Sequence, residues 1–242
     1  WSNPDLVKIM DYCRDNPYNP GVVPNLTTNG YGLTDEWVQT LAERCGGVAV
    51  SRYENYDVCY DAVDKLTKSG IEQVTIHQLL SVETYDQCMK AIDDCAEDPR
   101  LAKLKAILFL TLKPKGKRNK QNILKDVAKY RALVEHAMKR QVNIGFDSCS
   151  APIFLMAMKD HPNFRNFSMM SESCESNRFS GYANAKGEYW HCSFTEEQPG
   201  WSGIDLTKIQ DFQKEVWMAP EVVRFRNKLI CQSNDHIDKE CY

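Results

Sequence analysis

The sequence of 242 residues lacks any apolar run approaching the roughly 18 residues that span a bilayer; its longest, such as Ala106–Leu110, are strand-sized. A membrane-spanning helix is therefore excluded. An excess of positive charge is also missing, since 30 Lys and Arg stand against 33 Asp and Glu, a net charge of -3. Nucleic acid and anionic membrane surfaces are thus not expected as partners. Gly-x-Ser-x-Gly, a Walker loop and a strand-borne Gly-x-Gly-x-x-Gly are all absent, which removes the defining residues of hydrolase, P-loop and dinucleotide-binding readings. The five histidines (His77, His136, His161, His191 and His236) show no metal spacing such as His-Glu-x-x-His, so each is read as structural.

What is present points to a folded chain. Hydrophobic residues make up 43% and aromatics 10%, enough to bury a core. Ten cysteines are many, and with the sequons Asn25-Leu26-Thr27 and Asn166-Phe167-Ser168 they fit a secreted, disulfide-bonded α/β protein. Against that reading, Cys45, Cys59 and Cys88 fall inside long helix-like stretches rather than in the short loops of a disulfide scaffold. The cytoplasm is the expected compartment. The chain begins at Trp1, without a basic and apolar leader, and is expected to be a piece of a longer protein.

Along the chain, short apolar segments alternate with amphipathic ones. Strands are predicted at Val22–Thr27, Val48–Ser51, Gln73–Leu80, Lys105–Leu112 and Val142–Phe146. Helices are predicted over Asp5–Arg14, from a Thr34 cap to Gly46, over Tyr56–Ser69 and Thr84–Ala96, and from about Ile123 to Arg140. That rhythm is the pattern of a parallel sheet wrapped by helices. It stops after Asp147. Residues 151–242 are expected to form a second, irregular, cysteine-rich module with helices near Leu206–Val216 and Pro220–Leu229.

In such folds ligands sit at the carboxyl ends of the strands, here Thr27-Thr28-Asn29-Gly30, Ser51-Arg52, Gln78–Ser81, Lys113–Gly116 and Asp147-Ser148-Cys149. Each alone reads as an ordinary turn; their agreement in position makes a candidate small-molecule site. A second signal is Cys174-x12-Gly187-x4-Cys192, where a strand–turn–strand over 179–191 would carry two cysteines at its open end. A soft metal centre, a disulfide and free thiols all fit that spacing.

Taken together, Thr27–Gly30, Val50-Ser51, Val74–Leu80, Phe109–Gly116, Gly145–Ser150, Cys174-Glu175-Ser176 and Cys192-Ser193-Phe194 resemble a radical SAM protein with a C-terminal extension of the SPASM or twitch type. The resemblance covers nearly the whole chain, and its most specific part is the Cys-x12-Gly-x4-Cys element. It implies a partial parallel (β/α) barrel over residues 1–150 and an auxiliary 4Fe-4S cluster module over 151–242. It further implies that S-adenosylmethionine (SAM) binds in the barrel and that a peptide or other substrate is modified by radical chemistry. The Cys-x3-Cys-x2-Cys loop that holds the radical-generating cluster does not occur in the sequence. The barrel is accordingly expected to lack its first strands, and this chain alone is expected to be inactive.

By the same resemblance, Thr28 and Asn29 top a strand, Ser51 contacts the ribose, Gln78 the methionine moiety, and Leu112 and Lys113 lie near the adenine. Cys174 and Cys192 ligate the auxiliary cluster with Cys149 and with Cys241 or Cys231. A metal-binding module without catalysis is the other reading the missing loop allows.

Overall fold

The computed structural model describes residues 3–16, 21–116 and 119–235. They form two compact units, one of the described residues up to 112 with 121–147 and one of the described residues of 113–120 with 148–235.

The first unit runs α1 (Leu6–Asp15), β1 (Asn25–Thr28), α2 (Asp35–Arg44), β2 (Gly47–Ser51), α3 (Tyr56–Lys68), β3 (Gln73–Leu80), α4 (Tyr85–Glu97), β4 (Ala106–Thr111), α5 (Val127–Arg140) and β5 (Ile144–Phe146). Its five strands are all parallel and stand in sequence order, β1-β2-β3-β4-β5. The expected parallel α/β architecture is thus observed, as an open sheet.

Local chemistry accounts for the elements. In β3 alternate residues Val74, Ile76 and Leu80 are fully buried, as are Val48 and Val50 of β2 and Ile107 and Phe109 of β4. They pack beneath Cys59, Val63 and Leu66 of α3, Cys88 and Ile92 of α4, and Tyr130 and Leu133 of α5. Each such apolar side chain contributes about 1.5–3 kcal/mol by leaving water. Thr34 caps α2 by accepting from the Trp37 N–H at 3.3 Å, and Asp35 and Glu36 favour its positive end. The helix predicted from Ile123 begins instead at Val127, because Asp126 accepts from Ala128 N and Lys129 N, while Asn122 is held back by Glu83 at 2.7–3.1 Å. Gly30 has φ +80° and lies so close to α3 that a Cβ there would meet Val58 O at 3.0 Å.

The second unit contains α6 (Ala151–Met158), α7 (Phe164–Met170), the antiparallel strands β6 (Tyr182–Ala183), β7 (Glu188–Trp190) and β8 (Ile204–Asp205), a π-helical turn at Gln213–Trp217, and α8 (Pro220–Asp235). The β6–β7 hairpin turns at Gly187, whose φ is +78°. Residues Leu206–Val216 do not form the expected α-helix. The Asp205 carboxylate accepts from Thr207 N and Oγ1 and turns the chain, and Glu215 accepts from Gln210 N and Asp211 N, delaying helical structure to residue 212 and beyond. Behind the hairpin, fully buried Asn177 joins His191 Nδ1 at 2.8 Å and accepts from the Tyr189 hydroxyl, and Arg226 donates to the Asn177 carbonyl. The His191 ring stacks on Phe225, with centroids 4.7 Å apart.

Candidate functional site

Because side chains alternate along a strand, the residues between the buried ones form the sheet's other face. There Thr27, Ala49, Thr75 and Ala106 make one row and Ser51, His77, Leu108 and Gly145 the next, by the register of the strands. Ser51 and His77 are half-buried direct neighbours on β2 and β3. Burial holds the His77 ring below its ordinary pKa, with the Asp147 carboxylate pulling the other way. Asp147 itself follows β5 and is pinned by its N–H to Phe109 O at 3.2 Å and by Thr111 N on its Oδ1 at 3.4 Å.

The helix-covered side of the same two strands carries a charge. Arg52 is fully buried and donates to Gln78 Oε1 at 2.8 Å, the Tyr60 hydroxyl at 2.8 Å, Gln87 O at 3.3 Å and Asp94 Oδ2 at 3.3 Å. Its guanidinium lies 3.7 Å from the Tyr56 ring centroid, and its backbone N–H continues the ladder to His77 O at 2.9 Å. Burial works against the Asp94 charge, but hydrogen bonds from Lys90 and Tyr60 outweigh it and hold the carboxyl below its usual range.

These positions revise the expected ligand contacts. Gln78 does not face a ligand: its amide is 1% exposed and bonded to Arg52 and Leu79 O, because the Val74-Ile76-Leu80 alternation turns it toward the helices. Leu112 is buried, its N–H paired to Leu80 O at 3.0 Å. The Lys113 ammonium lies over Phe194, 5.2 Å from its centroid, in the second unit rather than beside an adenine. Thr28 and Asn29 close their own turn, accepting from Gly30 N and Tyr31 N at 3.1 Å each. Ser81 is likewise spent on Thr84 in a reciprocal cap. Of the expected set, Ser51 lies within its strand on the open face. His77, set aside as structural, stands beside it; the period-2 pattern of 73–80 was the signal that could have found it.

The cysteine site also differs from expectation. Residues 175–180 fold into a closed turn on the Glu175 carbonyl, which accepts from the N–H groups of Arg178, Phe179 and Ser180. Cys174 directly precedes that turn, and Cys192 directly follows His191, whose side chain, like that of Tyr189, meets Asn177 within it. Cys192 is in no disulfide, and its turn is fixed by Thr195 and by Lys115, whose ammonium donates to Ser193 O at 2.9 Å and Glu196 O at 2.6 Å. Among the described residues no group of three or more His, Cys, Asp or Glu is arranged to hold a metal ion. Cys149, Cys174 and Cys192 thus do not assemble the thiolates that a 4Fe-4S cluster takes, and the side chains of Cys231 and Cys241 lie outside the described residues. The described members of that set therefore do not by themselves supply the cluster's ligands. Among the described residues no helix is long and apolar enough to cross a membrane.

No protein-family model and no curated protein sequence matches the chain. Solved structures do. Native anSMEcpe with bound AdoMet superposes with a TM-score of 0.60 at 15% identity, over 90% of this chain and 63% of that one. Hexahistidine-tagged anSMEcpe with bound AdoMet gives 0.58 at 15% identity, over 90% and 60%. Native anSMEcpe with bound AdoMet and Cp18Cys peptide gives 0.57 at 14% identity, over 90% and 63%. The chain spans about three fifths of the length of these structures. At such identity the likeness is one of fold, an α/β parallel sheet matching the radical SAM partial barrel.

Proposed function

We propose that the chain binds SAM on the open face of its parallel sheet, as the SAM-binding part of a cytoplasmic radical SAM enzyme acting on a peptide. The observation that supports this most is the fold likeness over 90% of the chain to structures that carry AdoMet, one of them with a peptide as well. The open face suits the role. Ser51 and His77 supply neutral hydrogen-bonding groups, Leu108 and Leu110 supply apolar surface, and Asp147 puts a negative charge near where a sulfonium ligand would lie.

Radical chemistry in that family is supplied by a cluster that SAM chelates. The sequence holds no Cys-x3-Cys-x2-Cys for it, so the role derived for this chain's residues is binding and orientation. Isothermal titration of the purified chain with SAM tests the reading. Saturable one-to-one binding supports it, and no binding overturns it.

A further inference from the structure

On the open face, in the row nearest the carboxyl ends of β2 and β3, Ser51 and His77 stand side by side and unengaged. Among the described residues neither the Ser51 hydroxyl nor the His77 imidazole makes a side-chain hydrogen bond, although both are half-buried and adjacent in register. The polar side chains at the neighbouring strand ends are committed elsewhere: Thr28 and Asn29 to their own turn, Gln78 to Arg52, Ser81 to Thr84. Half-buried donors and acceptors that no protein group engages can exchange water for a ligand, and here two of them stand side by side at the carboxyl ends of adjacent strands.

The backing of the pair is rigid. Ser51 precedes Arg52 and His77 precedes Gln78, and the Arg52–Gln78 hydrogen bond on the helix side joins the two strands just beyond the pair. Arg52 N–H to His77 O adds a backbone bond at the same place. The side chains in front are thereby held about one strand spacing apart, roughly 4.8 Å between backbones. A neutral imidazole offers one donor and one acceptor, and a hydroxyl offers both. Together they suit uncharged hydroxyl or amine-bearing ligands, while the Asp147 carboxylate acting on His77 opposes an anion.

We propose that His77, paired with Ser51, is a ligand-contacting residue of this face, hydrogen-bonding a neutral polar group of the bound molecule. This rests on the SAM-binding reading and assigns within it a contact that the resemblance does not supply. A residue in that role is a determinant of affinity rather than of folding, because its ring is not part of the buried core.

The test is SAM titration of the wild-type chain, H77Q, H77F, S51A and the S51A/H77Q double variant, with thermal melts of each. H77F should lower affinity by about tenfold or more while leaving the melting temperature near wild type, as removal of a buried ligand hydrogen bond does. S51A and H77Q should be non-additive. Histidine-selective ¹⁵N spectra supply a readout on the unaltered chain: the resonances that vanish in H77Q should shift when SAM is added. Wild-type binding with unchanged affinity in H77F and an unmoved His77 resonance overturns this assignment and leaves SAM binding standing. Failure of the wild type to bind SAM overturns both.

Discussion

Arg52 and Gln78, at the ends of neighbouring parallel strands, meet through a 2.8 Å hydrogen bond on the helix-covered side of the sheet, and their predecessors Ser51 and His77 are register neighbours on the other. A buried cation so engaged has no inexpensive substitute. Arg52→Met should leave Gln78 Oε1 without its partner, remove the guanidinium from Asp94, which keeps Tyr60 and Lys90, and cost about 3 kcal/mol in urea denaturation, with Arg52→Lys intermediate. A loss below about 1 kcal/mol for the Met variant would show the network to be dispensable.

Acid should weaken the fold through two histidines. Burial depresses both His77 and His191, with Asp147 and Glu221 respectively opposing it. A base whose folded pKa lies below its unfolded value of about 6.5 adds stability that is complete above that value and is lost as pH falls toward the folded one. Melting temperature should therefore decline from about pH 7.5 to about pH 5. His191→Phe, which keeps the stacking on Phe225, should flatten the decline even though it loses the Asn177 bond. An unaltered slope would exclude His191 from the effect.

Thiol reactivity should be sharply graded. Burial pushes Cys59 and Cys88 up to about 12 and Cys95 up to about 11, whereas Cys149 is exposed. Iodoacetamide at about pH 8 should label Cys149 well before Cys59 and Cys88, which stay untouched until denaturant is added, as peptide mass mapping would record. Native-state labelling of Cys59 would contradict its burial.

Gly30→Ala should destabilise by about 1–3 kcal/mol, since it combines a left-handed backbone with a Cβ pressed to 3.0 Å from Val58 O. Chemical denaturation measures it directly, and a neutral result would mean that α3 yields there.

With iron, sulfide, dithionite and SAM supplied, the chain should yield no 5′-deoxyadenosine, because the sequence has no Cys-x3-Cys-x2-Cys. Chromatographic detection of that nucleoside would show that other cysteines serve.

The sheet was legible because its strands are short apolar runs between amphipathic helices, and nothing long-range is needed to read Val48–Ser51 or Gln73–Leu80 as strands. The candidate site was legible only in part. A glutamine at a strand end reads as a ligand contact until alternation is followed through Val74, Ile76 and Leu80, which sends Gln78 to the core; the arginine that receives it is 26 residues away in sequence. In the second unit, α6 escaped notice because Ala151–Met158 is apolar on every side and carries no helical period. The hairpin around Gly187 was visible, but the six-residue turn on Glu175 that follows Cys174 depends on backbone bonds no spacing reveals.

The strand order has a consequence for the chain's birth. Since each strand pairs with the one made just before it, the sheet can be laid down from one edge as the polypeptide leaves the ribosome. No strand has to wait for a later one to slot between it and its neighbour, so nascent apolar surface is covered after one helix-length of further synthesis. The wholly apolar stretch Ala151–Met158 emerges only after all five parallel strands, when that sheet no longer offers it unfolded partners.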